Sequence, residues 1–369
     1  MKRYNRNNLF LTAFLALGIT APQVMADATA QQPARRVTIW VHGTRVGSFM
    51  PLGIISTLAG LEHRVLYAPP GLHTPDEINP ELYHHKIPGF ISAADPARFP
   101  LEDFYVYGWS GDLDFNARIK AGAILAKELK ELVAYYIDQD GAAPEITFIT
   151  HSHGGNVVLE MTKSISLKDL GDVPVTALFL ACPVQQATEK LIANPLFKHI
   201  YNIHSHDDIV QISDPQAFGF ISDNVRAAYN TGSFDPLTGI IEGVGDRISG
   251  AWDKLKKFEN PFAGVEIFSG REFKPQSNLK QARVSWIGLA PWTSQDFAVL
   301  GKYKDDVESI KNSLQKLLAI KNRGLVHMEF MFPLFFSRLP QTLKMTDDLW
   351  TKRSKQEKDP DVVIKLQGK

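Results

Sequence analysis

The stretch Glu145–Val158, EITFITHSHGGNVV, decides how the rest of the chain is read. It opens on a strand-like apolar run, Ile146–Thr147–Phe148–Ile149. It then turns through Thr150–His151–Ser152–His153–Gly154 and enters a helix at Gly155. A serine at the apex of such a strand–turn–helix has its Oγ lifted clear of its own backbone, near the first amides of the helix. Those amides and the helix dipole favour negative charge, which the oxyanion of acyl transfer requires. The pattern is G-x-S-x-G with Thr150 at the first glycine position. The plainer reading is a strand-to-helix loop with a serine N-cap.

Upstream, Arg36–Val41 (RVTIWV) is a β-branched, apolar run that ends at His42–Gly43–Thr44. Asp103–Gly108 (DFYVYG) is a second such run. Between it and the opening stretch, Ala117–Ile137 has helical spacing, with Ala117, Ile119, Ala123, Ile124, Leu125, Leu129, Leu132, Val133 and Tyr136. Downstream, Val175–Ala181 (VTALFLA) and His199–Ile203 (HIYNI) read as further strands. Strands alternating with helices predict an α/β fold with a mostly parallel sheet covered on both faces. Active sites of such sheets lie beyond the carboxyl ends of the strands. His42–Gly43, Ser152 and the loop His204–Asp208 all fall at such ends. Residues 45–100 are crowded with proline and read as loops, with His84–His85 on the surface.

After residue 213 the rhythm changes. Residues 36–213 read as a core, 214–322 as an inserted cap and 323–345 as the core's C-terminal part. Within the insertion, Thr238–Phe258 places Ile240, Ile241, Val244, Ile248, Trp252 and Leu255 on one helical face. That face suits a lid, peripheral contact with a membrane, or packing in the core. Ala282–Leu289 (ARVSWIGL) reads as a late sheet strand and Asp305–Ile320 as a helix. An apolar segment, Phe332–Leu339, follows His327, and the last residues, 346–369, form a charged tail.

The chain has 369 residues, 44% hydrophobic and 22% charged, with zero formal net charge. This is globular composition, and the charge balance argues against a nucleic-acid partner. The first 26 residues read as a signal peptide. Lys2, Arg3 and Arg6 form its basic end, Leu9–Ala21 its apolar run, and Val24–Met25–Ala26 a cleavage site. Residues 27–35 read as a linker. The expectation is export, to the periplasm or outside the cell. Cys182 is the only cysteine, so no intramolecular disulfide forms.

A serine nucleophile needs a base to take its proton and an acid to orient that base. Asp208, anchored by Ile209–Val210, is the first candidate acid and Asp207 the alternate. Of eleven histidines only His327 follows Asp208, so the chain order Ser, acid, His makes His327 the base. The oxyanion donors would be the amides of Thr44 and His153. No cofactor and no metal are required.

Together, HG after the first strand, T-H-S-H-G-G at the elbow, H-D-D-I-V after a later strand and a late His resemble the α/β-hydrolase superfamily, in its lipase/esterase-like members. The resemblance spans roughly residues 36–213 and 323–345. It implies Ser152 as nucleophile, Asp208 as acid, His327 as base, and Thr44 and His153 as oxyanion donors. Two departures are Thr150 in place of glycine and the 119 residues between Asp208 and His327, which require an insertion. The expected activity is hydrolysis of carboxylic esters, acyl or lipid esters favoured, through an acyl-enzyme. Two alternatives stand beside it. One is a non-catalytic binding protein of the same architecture. The other is a metal-dependent hydrolase using the cluster His204–Asp208.

Overall fold

The computed structural model describes residues 35–44, 68–112, 115–205, 208, 272–285, 298–303, 305–306, 327, 330–353 and 363–365. The leader, the amphipathic stretch Thr238–Phe258 and nearly all of the helix expected over Asp305–Ile320 lie outside them.

Continuous apolar runs need cover on both faces, and the strands receive it. The elements in order are β1 (Arg36–Val41), β2 (Gly71–His73), α1 (Tyr83–Ala94), β3 (Phe104–Gly108), α2 (Phe115–Asp140), β4 (Glu145–His151) and α3 (Gly154–Met161). They continue with β5 (Val175–Leu180), β6 (Phe197–His204), β7 (Leu279–Ser285), α4 (Pro333–Arg353) and β8 (Val363–Lys365). The strands form one eight-stranded sheet in the order β2-β3-β1-β4-β5-β6-β7-β8. All neighbours pair parallel except the edge pair β2 and β3.

Side chains alternate across the sheet. Val37, Ile39, Val41, Ile146 and Phe148 face one core, with Leu125, Leu129 and Val133 of α2 and Val157, Val158 and Met161 of α3. Trp40, Ile149, Leu178 and Ile203 face the other, with Ile87, Phe90 and Ile91 of α1 and Phe335, Phe336 and Leu339 of α4. The fold is α/β, with a mostly parallel sheet between helices, and is compatible with an α/β-hydrolase. Ile119 and Ile124 share the helical spacing of α2 but point outward, 45% and 41% exposed.

Three stretches differ from expectation. Residues 45–100 contain α1, a 12-residue helix with Pro88 inside it. Proline costs a helix one backbone hydrogen bond, but packing against α4 compensates. His84 consequently lies fully buried, not on a surface loop. The late sheet strand expected over Ala282–Leu289 is present but begins earlier, over Leu279–Ser285, and pairs with β6. Val363–Lys365, in the supposed tail, adds the outermost parallel strand.

The strand order reverses between β1 and β4. From β1 the chain passes to β3 on one side, then crosses back to β4 and continues outward through β8. In open α/β sheets ligands bind outside the carboxyl ends of the strands at such a switch point. His42–Thr44 follow β1 there, and Ser152 follows β4.

Candidate active site

β4 carries apolar residues as far as Ile149, then the turn begins. Ser152 is held at φ 51°, in the left-handed region. A residue with a Cβ pays about 1–2 kcal/mol for that conformation, and such outliers gather at functional sites. The turn is kept by its neighbours: Ser152 N–H donates to Leu180 O at 2.9 Å, and Gly155 N–H to Ser152 O at 3.1 Å. α3 begins at Gly154, pressed against the end of β1, where a Cβ would stand 2.5 Å from Val41 O and 2.7 Å from His42 O. Both are backbone atoms that cannot step aside, so only glycine fits.

Thr150 fits for a related reason. It is buried, and its Oγ1 donates to Leu178 O at 3.4 Å. Space opposite it comes from Gly155, whose added Cβ would lie 3.2 Å from Thr150 Oγ1 and 2.5 Å from Cys182 Sγ. The room usually made by a glycine before the serine is made here by a glycine after it.

Asp208 and His327 are brought together. Asp208 is fully buried just past β6, with its N–H donating to Ser205 O at 3.2 Å. Its Oδ2 accepts from His327 Nδ1 at 2.7 Å, a length typical of a charge-assisted bond. His327 is 4% exposed. Its ring centroid lies 4.7 Å from that of His151, the residue preceding Ser152. The alternate acid Asp207 lies outside the described residues.

The loop after β1 is fixed by aromatic partners. His42 Nε2 accepts the Trp109 N–H at 3.0 Å, and His42 O accepts the Trp109 indole N–H at 2.8 Å. His42 Nδ1 donates to Gly43 O at 2.7 Å, so the ring is neutral. Behind it His84 Nδ1 accepts the Trp40 indole N–H at 3.1 Å, and the two histidine rings are 5.3 Å apart. This buried support was missed in the sequence. The usable signal was an aromatic residue alternating along β1 into His42. Thr44 Oγ1 is buried without a hydrogen-bond partner among the described residues. A buried unpaired hydroxyl is costly, and such groups gather where a ligand completes them. His153 caps α3, its Nδ1 3.4 Å from Asn156 Nδ2.

His204, which would head a metal-ligand run, turns its Nε2 to Glu272 Oε1 at 3.1 Å, while Asp208 turns to His327. Among the described residues no three His, Cys, Asp or Glu side chains group as a metal site, and no helix is long and apolar enough to cross a membrane.

Burial pushes His151 well below the ordinary imidazole range, and a positive charge on His327 would push it further. The unfolded ring takes up a proton near pH ~6.5; the folded one does so only at lower pH. Its contribution to stability is therefore complete above that value and is lost as pH falls below it, at up to about 1.4 kcal/mol per pH unit. His199, partly buried beside Lys280, shifts the same way. Urea unfolding at stepwise lower pH should show this decline beginning just below neutrality. Constant stability through that interval would contradict a neutral, buried His151.

No protein-family model matches the sequence, and neither does any curated protein.

Proposed function

We propose that the chain is a serine hydrolase of the α/β-hydrolase type, cleaving carboxylic esters through an acyl-enzyme. The observation that carries the proposal is the buried Asp208–His327 bond, 2.7 Å, meeting a strained serine turn at the switch point of a parallel sheet. An imidazole whose Nδ1–H is held by a carboxylate keeps Nε2 bare and basic.

In this reading His327 takes the Ser152 proton as Oγ attacks the ester carbonyl. The carbonyl electrons move to oxygen, where the amides of Thr44 and His153 stabilise the oxyanion. Collapse breaks the ester C–O bond, and His327 returns the proton to the leaving alcohol. Water, deprotonated by His327, then attacks the acyl-enzyme and frees the acid and Ser152. Asp208 orients His327 and stabilises its transient positive charge. Preorganised donors of this kind contribute a few kcal/mol each, roughly 3–4, to the transition state.

Acyl or lipid esters are the favoured substrates because apolar residues follow His327; Phe330, Met331, Phe335 and Phe336 belong to the apolar core that α4 shares with α1.

The test is covalent labelling. Incubation with a fluorophosphonate followed by peptide mapping should give one adduct, on Ser152. No adduct, or one on another residue, would overturn the proposal.

A further inference from the structure

Ser152 and His327 stand on separate elements, 175 residues apart, and their alignment must survive the intervening chain. Asp208 fixes the orientation of the His327 ring, but a bond to Nδ1 leaves the base's own backbone free to shift. A second contact addresses that backbone. His151 Nε2–H donates to His327 O at 2.8 Å, between two buried residues. His151 immediately precedes the nucleophile, so a displacement of the base relative to the elbow must stretch this bond.

The His151 ring is also gripped from its other edge. A Cβ built on Gly43 would lie 3.0 Å from His151 Nδ1 and 2.7 Å from Ser152 Cβ, so the β1 loop closes on ring and serine together. Because a carbonyl only accepts, Nε2 must carry the proton and Nδ1 must be bare. The chain just beyond the base has a separate tie, Tyr83 Oη donating to Met331 O at 2.6 Å. That bond holds the start of α4 to α1 and has no link to the elbow. Of these two ties, only the His151 bond spans nucleophile and base.

We propose that His151 is a positioning residue whose Nε2–H, bonded to the carbonyl of His327, sets the distance between the base and Ser152. The inference rests on Ser152, Asp208 and His327 forming the triad. It assigns His151 no proton transfer, since its donating nitrogen is engaged. A base misplaced by about 1 Å costs on the order of a hundred-fold in rate.

The test compares fluorophosphonate labelling rates of the wild type with His151→Leu, His151→Asn and His151→Gln, alongside their melting temperatures. Glutamine can place an amide donor near the position of Nε2; asparagine falls short of it and leucine has none. The expected result is labelling slowed about a hundred-fold in His151→Leu and His151→Asn, but less than about ten-fold in His151→Gln. Ester hydrolysis should show the loss in kcat rather than KM. A purely structural histidine would instead lower the melting temperature of all three variants without this rescue. Wild-type rates in His151→Asn, or equal slowing in asparagine and glutamine variants, would overturn the proposal, and these readings remain if His151→Leu fails to fold. Failure of the wild type itself to label would instead remove the triad reading, and this inference with it.

Discussion

Ser152→Ala should lower kcat for an activated ester by about a million-fold, the loss found when a triad serine is removed as part of a cooperating unit. The fold should be unaffected, because Ser152 N–H and O are both held by the backbone and neither bond uses the side chain. A companion substitution separates strain from chemistry. Alanine keeps the Cβ that opposes φ 51°, whereas glycine does not. Ser152→Gly should therefore be as inactive as Ser152→Ala yet more stable than wild type by about 1 kcal/mol. Steady-state hydrolysis and urea unfolding measure the two effects. Activity above about one part in a hundred in either variant would remove Ser152 from the chemistry. A glycine variant no more stable than the alanine variant would show that the turn stores no strain.

Asp208→Asn should reduce kcat by roughly ten-thousand-fold. The amide is nearly isosteric, so the buried site remains filled, but its group facing Nδ1 can be either oxygen or NH₂. With NH₂ toward the ring, Nδ1 becomes the acceptor and the proton moves to Nε2. His327 then meets Ser152 with a donor and can no longer accept its proton. Even with oxygen toward the ring, the neutral amide stabilises the imidazolium less than the carboxylate facing it at 2.7 Å. The loss should be smaller at alkaline pH, where hydroxide can replace the general base. Asp208→Ala adds a cavity and leaves buried His327 without its acceptor, so it should also destabilise. Asp208→Asn retaining more than a tenth of wild-type kcat would mean that the buried bond serves packing alone.

Much of this arrangement was readable because buried parallel strands are written as unbroken apolar runs. RVTIWV, FYVYG and VTALFL could hardly be anything else. The residue just past each run then falls at the carboxyl edge, which is why Ser152 and Asp208 were visible. His327 was reached only by elimination, since nothing in its neighbours marks a base. The outer strands were harder. β7 carries Lys280, Gln281 and Arg283, because toward the sheet's edge side chains meet polar partners: Lys280 bonds Asp347 at 2.7 Å, and Gln281 bonds Asn202 at 3.0 Å. β8 is three residues held by backbone pairing, which leaves little trace in composition. His84 was hidden by Pro88, which reads as a loop signal while the tertiary contact that overrides it is 248 residues away in the chain, as between Tyr83 and Met331.

The joint between β6 and β7 has a consequence for how such a chain can diversify. After Asp208 the described chain resumes at Glu272, whose carboxylate meets His204 at the carboxyl end of β6. From there Phe273–Asn278 runs back along the sheet. Phe273 N–H and O bond the Gln281 side chain at 2.8 and 2.9 Å, and Asn278 O accepts the Ile200 N–H at 2.8 Å. The two described anchors that flank residues 209–271, Asp208 and Glu272, thus stand at one edge of the sheet, the edge that bears Ser152. Lengthening or exchanging a segment between fixed, adjacent anchors costs little, about 0.6 kcal/mol per doubling of a flexible loop. The joint therefore works as a socket. A change of sequence there leaves intact β4 and β6, whose carboxyl ends lead to Ser152 and Asp208, so what lies between the two anchors can vary while the framework of the sheet is kept.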